Sequence, residues 1–236
     1  MSLSLAHAPA ENRLLSALPP AEYQRLQAVM EEIPLRFAEI LYEPGERLRH
    51  VYFPTRGIVS LLCTAEGRHA VETAMVGNEG MAGLSVVLGA GGSCDRALVQ
   101  GPGTALRVGA EALRRHFTRG GTLERRLHRY THARLTQVGQ LAACNRFHRV
   151  EARLARWLLM TQDRLRADEF PMTQEFLSYM LGVRRPGITE AAGALQKRAL
   201  IHCRRGTLRI LDRDGLAAAA CRCYRIIAHA YDDGLG

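Results

Sequence analysis

The sequence predicts an α+β chain in three parts: an N-terminal antiparallel β jelly roll, a long helix, and a C-terminal winged helix-turn-helix. Short β-rich runs separated by turn residues occupy residues 33–108. From about Glu111 the apolar spacing becomes helical, with a break at Gly120-Gly121. Two short amphipathic segments and a basic hairpin follow. We place the three parts at residues 1–120, 121–144 and 145–236.

The first part begins with a helical pattern over residues 12–30, in which Pro19-Pro20 opens a second helix. Six β-rich runs follow, at residues 40–42, 51–53, 58–63, 70–76, 97–100 and 105–108. Turn residues punctuate them at Pro44-Gly45, Arg56-Gly57, Glu66-Gly67, Gly77-Asn78-Glu79-Gly80 and Gly101-Pro102-Gly103. This spacing is typical of a small antiparallel barrel or jelly roll.

Apolar residues recur along the predicted long helix and form a stripe. The stripe consists of Leu123, Leu127, Tyr130, Leu135, Val138 and Leu141. We interpret it as a dimer interface, because helix-turn-helix units that read paired half-sites need a two-fold partner. The alternative is that the stripe packs on the jelly roll. Arg134 within the stripe argues against a strict coiled coil.

Residues 172–190 predict two short helices joined by a tight turn. Thr173 caps the first helix, and Gly182 supplies the backbone angles of the turn. Arg184 and Arg185 open the second helix, whose first side chains in such motifs reach base edges, where arginine pairs with guanine. Residues 202–211 read as two strands around a basic, glycine-containing turn, which makes the unit a winged helix. The alternative is a small core whose arginines face solvent.

The start of the first helix, the second helix and the wing supply the candidate DNA contacts. Arg184 and Arg185 are the predicted base or phosphate readers, and Thr189 and Glu190 lie next along the helix. Thr173, Gln174 and Arg205 are predicted phosphate contacts. Glu190 either accepts a hydrogen bond from cytosine or is a solvated charge. Arg185→Ala should cost about 1 to 3 kcal/mol on a specific site, and Arg205→Ala should lower the salt slope by about 1.

The formal net charge of +9 favours an anionic partner, and the excess lies mainly in the second half of the chain. Nucleic acid fits this charge better than a membrane, and the predicted two-fold dimer implies double-stranded DNA with a palindromic operator. No apolar run approaches the roughly 20 residues that span a bilayer. The first residues lack the charged start and the long apolar core of a secretion signal, so we expect a cytoplasmic protein.

The six cysteines are scattered, and only Cys221-x-Cys223 is closely spaced. This spacing does not match the paired CxxC of a structural zinc site, and residues 217–223 read as a small-residue helix in which cysteine packs as a hydrophobe. His128 and His132 lie four residues apart on the long helix, but histidines on a basic helix are usually solvated. We therefore predict no metal and no cofactor, with a redox or metal role for Cys221 and Cys223 as the alternative.

Catalytic motifs are missing from the sequence. There is no His-x-His of a metal-binding jelly roll, no phosphate loop and no Gly-x-Ser-x-Gly elbow. We predict no catalytic residues and a chain that is not an enzyme. Residues 216–231 read as a helical extension beyond the wing to which the sequence assigns no function.

The order of parts resembles the Crp/Fnr family of bacterial transcription regulators, from about Leu14 to Leu211. Residues 42–46 and 51–59 carry the resemblance in the jelly roll, and residues 153–159, 173–175 and 181–185 carry it more specifically in the C-terminal part. It implies a homodimeric, sequence-specific DNA-binding regulator with a small-molecule effector and RNA polymerase as partners. Pro186 departs from the family pattern in the recognition helix, so the operator sequence cannot be borrowed.

The sensor part departs further from this family. Its cyclic-nucleotide binders resemble one another in a Gly-Glu-Leu cassette followed by Arg-Ser or Arg-Thr before Ala, where Glu binds the ribose and Arg the phosphate. The matching positions here are Gly80 and Arg96, our candidate effector contacts, with Glu79 as an alternative carboxylate. Loss of a charge-assisted partner costs on the order of 1.5 to 3 kcal/mol, which disfavours cyclic AMP.

The nature of the signal stays open between three readings. In the first reading the jelly roll responds to an unidentified effector, and in the second it is degenerate. The third is the alternative function, a cyclic-nucleotide-responsive or redox/metal-sensing regulator with the same DNA-binding part. Iron-sulfur members of the family resemble one another in an N-terminal cysteine cluster, whereas the first cysteine here is Cys63.

Overall fold

The computed structural model describes residues 11–64, 70–117 and 120–235. Two short helices come first, α1 (Arg13–Ser16) and α2 (Pro20–Gln27). Asn12 caps α1 by accepting a hydrogen bond from the Leu14 amide, and its own amide donates to Pro54 and Gly80 carbonyls at 2.8 Å each. Helical structure stops before residue 30, because Met30 already begins a strand that the sequence pattern did not predict.

One five-stranded antiparallel sheet forms the N-terminal part. Its strands are β1 (Met30–Leu35), β2 (Ile40–Tyr42), β3 (His50–Thr64), β4 (Ala70–Val76) and β5 (Arg96–Gly109). They run in the order β1-β5-β3-β4, and β2 pairs with β5. A 3₁₀ turn (Leu84–Val86) lies between β4 and β5. The predicted turn at Glu66-Gly67 lies outside the described residues.

Two of the predicted turns are bulges within long strands. The runs at 51–53 and 58–63 both belong to β3, and those at 97–100 and 105–108 both belong to β5. Where β3 and β5 pair, the register shifts between Pro54 and Val59. Gly57 has φ of +86°, and a Cβ there would lie 2.5 Å from the Gly101 carbonyl oxygen. Glycine therefore lets the two strands bend and stay paired.

Helices α3 (Ala110–Phe117) and α4 (Thr122–Phe147) follow the sheet. The predicted break between them is confirmed, since Gly120 and Gly121 have φ of +71° and +99°. The Glu22 carboxylate accepts hydrogen bonds from the Thr122 and Leu123 amides at 3.3 and 2.9 Å, which satisfies free donors at the start of α4. Among the described residues, no helix combines the length and apolarity needed to cross a bilayer.

The C-terminal part contains five helices and a second small sheet. The helices are α5 (Val150–Leu165), α6 (Gln174–Leu181), α7 (Arg185–Lys197), α8 (Arg213–Ala219) and α9 (Cys223–Leu235). The strands are β6 (Glu169–Pro171), β7 (Ile201–Arg204) and β8 (Thr207–Ile210), in the order β6-β8-β7. The interpretation of residues 217–223 as one helix is wrong, because Ala220 is extended and Cys221 lies between α8 and α9.

The predicted apolar stripe of α4 divides between two faces. Leu123, Leu127, Tyr130 and Leu141 are buried within the chain, as is Arg134. Helix α9 packs along α4, with a hydrogen bond of 2.6 Å from the Tyr231 hydroxyl to Gln137. Leu135, by contrast, is 66% exposed, and Val138 is exposed beside it. The prediction of one continuous dimer stripe is therefore wrong for the four residues that are buried within the chain, and Leu135 and Val138 remain accessible to a partner.

Helix α5 lies between the jelly roll and the winged helix-turn-helix, and its residues 153–162 are all buried. Towards the jelly roll, the Trp157 indole donates to Glu72 at 3.0 Å and Gln100 donates to Thr161 at 3.0 Å. On its other sides, α5 packs against α7 and α8. The two parts therefore share one hydrophobic core.

Glu72 is a buried carboxyl in this shared core. Burial raises its pKa to about 7, although the hydrogen bond from Ser60 acts to lower that pKa. The Ser60 hydroxyl lies 2.7 Å from Glu72 Oε2 and 2.6 Å from Gln100 Oε1. Since one hydroxyl proton cannot serve two acceptors, a protonated Glu72 supplies the missing donor.

Replacing Glu72 with glutamine should therefore change the pH dependence of stability. The pKa of Glu72 in the folded state exceeds the ordinary 4.5. The contribution of Glu72 to the free energy of unfolding therefore falls by about 3 kcal/mol as pH rises from about 4.5 to about 7, and it is constant above that pH. Glu72→Gln should be similar to wild type at pH 5 and more stable at pH 8, as measured by urea unfolding. Glu175→Gln, at an exposed position, is the control. An unchanged pH dependence in Glu72→Gln would contradict this.

Candidate nucleic-acid interface

The helix-turn-helix is built from α6 and α7, with its capping residues where the sequence predicted them. The Thr173 hydroxyl accepts a hydrogen bond from the Phe176 amide at 3.1 Å, which starts α6. Gly182 ends α6 with φ of +60°, in the left-handed region that favours glycine. A Cβ at Gly182 would lie 3.2 Å from the Val71 side chain, so the turn also lies close against β4.

Helix α7 presents one polar face to solvent. Arg184 is its N-cap residue and Pro186 lies in its first turn, where the missing proline N–H costs nothing. Four apolar residues are buried on the opposite side: Ile188, Ala191, Ala192 and Leu195. Packing against α5 and α6 therefore leaves Arg185, Thr189 and Glu190 exposed, as a recognition helix requires.

The wing is the hairpin of β7 and β8. Arg205 and Gly206 form its two-residue turn with φ of +38° and +84°, the signs that a type I′ turn needs. The Met172 amide donates to the Gly206 carbonyl at 2.7 Å, and the Cys203 amide donates to the Gln196 side chain at 2.9 Å. These bonds hold the wing beside the start of α6 and against α7.

The seven predicted contact residues fall into two groups. Arg184, Arg185, Glu190 and Arg205 are exposed, and none forms a hydrogen bond or ion pair through its side chain with another described residue. Thr189 and Gln174 instead bond to each other across the two helices, with 2.8 Å between Thr189 Oγ1 and Gln174 Oε1. The Thr189–Gln174 bond therefore positions α7 on α6, whereas the Thr173 hydroxyl caps α6 itself.

The wing also exposes basic residues that the sequence analysis did not select. Arg204 precedes the turn, and Arg209 lies on β8 between buried Leu208 and Ile210. The period-two alternation of β8 was the signal that could have indicated Arg209. Both extend the positive surface of Arg205.

Both candidate effector positions, Gly80 and Arg96, are in contact with other parts of the chain. A Cβ on Gly80 would lie 2.4 Å from the Tyr130 ring, so α4 covers this position. Arg96 forms an ion pair with Glu43 at 2.7 Å, which raises the pKa of Arg96, and donates to the Tyr179 hydroxyl at 3.0 Å. The alternative carboxylate, Glu79, is paired with Arg164 at 2.8 Å.

The cysteines at the start of α9 are not isolated, which corrects the basis for predicting no metal ligands there. Cys221 and Cys223 meet Cys144 and His148 at the end of α4, and the four ligand atoms all lie within 4.8 Å of one another. His128 and His132 belong to no such group among the described residues. His128 instead packs edge-on against Phe117, at 5.7 Å between ring centroids.

A jelly roll, a long helix and a winged helix-turn-helix in this order have the fold of the Crp/Fnr transcription regulators. A Crp/Fnr-family transcriptional regulator from Eubacterium rectale matches with a TM-score of 0.68 at 16% identity, over 89% of this chain and 98% of that one. FixK2 from Bradyrhizobium japonicum matches with a TM-score of 0.69 at 18% identity, over 82% and 98%. The regulator CLP from Xanthomonas campestris matches with a TM-score of 0.63 at 16% identity, over 81% and 99%.

Residues 152–219 match the family described as the Crp-like helix-turn-helix domain. The match extends from α5 through α8 and leaves out α9, and it confirms the predicted motif. A search of curated protein sequences finds no match. The predicted fold class is confirmed by the structural similarities.

Proposed function

We propose that this protein is a homodimeric transcription regulator of the Crp/Fnr type that binds a palindromic operator in double-stranded DNA. One observation carries the proposal: Arg184, Arg185 and Arg205 lie exposed on a Crp-like helix-turn-helix without protein partners among the described residues. Guanidinium groups at the start of a recognition helix and at a wing suit base edges and phosphates. The role is regulation through DNA and not catalysis, in the cytoplasm, with RNA polymerase as a further partner.

The dimer interface that we propose is the exposed face of α4. Leu135 and Val138 are large apolar side chains at the surface of a helix, and Gly139 and Ala142 lie on the same face. Small residues beside large apolar ones let two helices approach closely. This surface supports a two-fold pair that would place two recognition helices side by side.

Replacing Leu135 with glutamate should dissociate the dimer. The change removes an apolar contact from both copies and places two like charges near the two-fold axis, so we expect the dissociation constant to rise on the order of 100-fold, about 2.7 kcal/mol. Sedimentation velocity over a dilution series measures the change. Leu88→Glu, at an exposed position in the jelly-roll part, is the matched control. A Leu135→Glu variant as dimeric as the control would contradict this interface.

The experiment that tests the function is selection of genomic DNA fragments with purified protein at fixed, near-physiological salt. Separate arms contain no nucleotide, cyclic AMP, or cyclic di-GMP, the ligand named in the description of CLP. Because Gly80 and Arg96 are in contact with other parts of the chain, we expect the same palindrome to be enriched in all arms. Enrichment only with a nucleotide would overturn our interpretation of the sensor. Strongly salt-dependent binding without any enriched site would overturn the proposal of a specific regulator.

A further inference from the structure

Three cysteines and one histidine meet where the end of α4 contacts the junction of α8 and α9. Cys144 Sγ lies 3.4 Å from Cys221 Sγ, and Cys223 Sγ lies 3.4 Å from His148 Nδ1. Cys144 and Cys223 are buried, Cys221 is 9% exposed and His148 is exposed. The imidazole therefore closes the solvent side of a thiol cluster, which we call the Cys₃His cluster.

The size of the Cys₃His cluster fits a single tetrahedral ion. Zn²⁺ binds sulfur at about 2.3 Å and imidazole nitrogen at about 2.0 Å, which separates the ligand atoms of a tetrahedron by roughly 3.5 to 3.8 Å. All four atoms here lie within 4.8 Å of one another. The distance between Cys144 Sγ and Cys221 Sγ is much longer than the roughly 2.05 Å of a disulfide. An iron-sulfur cluster distributes its ligands over several iron atoms and needs a wider site.

The elements around the cluster hold its ligands in place. Cys144 lies in the last turn of α4 and His148 is the C-cap residue that follows this helix, so the two side chains are about one helical turn apart. Gln140, one turn earlier, donates a hydrogen bond from Nε2 to Cys223 Sγ at 3.2 Å. Such a donor orients a thiolate ligand and disperses its charge. Cys221 and Cys223 come from the other side, where the chain passes from α8 into α9.

Two buried arginines lie beside the cluster, and Arg156 also acts electrostatically on the buried Glu72 carboxyl. Arg153 and Arg156 on α5 are buried, their Nε atoms have no hydrogen-bond partner in the described chain, and neither pairs with a described carboxylate. Both interact electrostatically with Cys144. Three thiolates, one neutral imidazole and Zn²⁺ together carry a net charge of about −1. A metal-loaded cluster would therefore place a compensating negative charge beside both arginines.

We propose that Cys144, His148, Cys221 and Cys223 bind one Zn²⁺ in a closed structural site that joins the C-terminal helices to α4. Four protein ligands complete a tetrahedron and leave no position for a reacting molecule, so the site is structural and not catalytic. Bound zinc fixes the α8–α9 junction at the C-terminal end of the helix whose exposed face we propose as the dimer interface. The zinc site itself does not depend on DNA binding.

The test measures zinc in the full chain, purified without a histidine tag under reducing conditions from zinc-containing medium. Elemental mass spectrometry should find roughly one zinc ion per chain. After exchange, Co²⁺ should give the visible bands of a tetrahedral thiolate site. Because second-shell changes alone weaken metal binding 10- to 100-fold, Cys223→Ser and His148→Ala should each weaken zinc binding by more than about 10-fold. Cys94→Ser, which removes an exposed cysteine of the jelly-roll part, should keep the zinc.

Three results would overturn the zinc site. The first is wild-type protein with less than about a tenth of an equivalent of zinc and no Co²⁺ bands, which needs no variant to fold. The second is a Cys144–Cys221 disulfide in the peptide map of a parallel preparation purified without reductant, which would indicate a redox pair. The third is unchanged zinc affinity in both Cys223→Ser and His148→Ala, which would place the metal elsewhere.

Discussion

Replacing Arg184 and Arg185 together with alanine should abolish specific operator binding and leave the fold intact. Both side chains are exposed at the start of α7 and contact no described acid. A bidentate arginine–guanine pair discriminates by about 1 to 3 kcal/mol, so the double variant should lose about 2 to 6 kcal/mol. That loss corresponds to roughly 30-fold to 25 000-fold weaker binding. Fluorescence anisotropy with the selected operator, at one fixed salt concentration, measures it.

Two comparison variants make this result specific. Arg205→Ala on the wing should weaken operator and random DNA alike and lower the salt slope by about 1, because a phosphate contact carries no sequence information. Arg25→Ala, on α2 in the N-terminal part, removes the same charge away from the helix-turn-helix and should change neither measurement. If the Arg184/Arg185 double variant binds the operator as wild type does, base reading lies elsewhere on the chain.

Replacing Arg164 with methionine should cost about 3 to 5 kcal/mol of the free energy of unfolding, because it leaves a buried carboxylate without its partner. The side chains of Arg164 and Glu79 are each 8% exposed and lie 2.8 Å apart. Arg164 also donates to the Met160 carbonyl and lies over the Tyr231 ring. Urea unfolding at pH 7.5 measures the loss.

An exposed ion pair provides the control for this measurement. Arg56 pairs with Glu11 at 2.9 Å, with side chains 73% and 51% exposed, so water screens the pair and Arg56→Met should change the free energy of unfolding far less than Arg164→Met. Combining Arg164→Met with Glu79→Gln should recover part of the loss, since no unpaired charge then remains. If Arg164→Met is as mild as Arg56→Met, the buried pair does not stabilise the contact between α5 and the jelly roll.

The helix-turn-helix was predictable from sequence because its signals are local. Thr173 caps the helix that follows it, and Gly182 makes the turn within the same twenty residues. The sequence also predicted most of the short β-rich runs of the jelly roll, but it did not predict that pairs of these runs join into the long strands β3 and β5. Whether Arg56-Gly57 ends a strand or bends it depends on pairing with residues more than 40 positions away.

Long-range packing explains what the sequence could not predict about α4 and the cysteines. The burial of Tyr130 and Gln137 depends on Tyr231, which belongs to a helix at the other end of the C-terminal part. The Cys₃His cluster brings together residues from distant parts of the sequence, since Cys144 and Cys221 lie 77 residues apart. A search for closely spaced CxxC pairs cannot detect such a site. Gly80 and Arg96 lie at the positions that match the cyclic-nucleotide cassette of the family. Their contacts with Tyr130, and with Glu43 and Tyr179, come from distant parts of the chain and were not predictable from the sequence.

The central position of α5 determines how the chain folds and unfolds. Trp157 and Thr161 complete the packing of the jelly roll, while the same helix supplies the base on which α7 and α8 lie. A fragment beginning at residue 145 would expose the first of these faces, and a fragment ending at residue 144 would leave Glu72 and Gln100 without their partners. Neither fragment should fold alone, so denaturation should proceed as one cooperative transition. A change in the jelly roll can therefore reach α7 and α8 through this one shared helix.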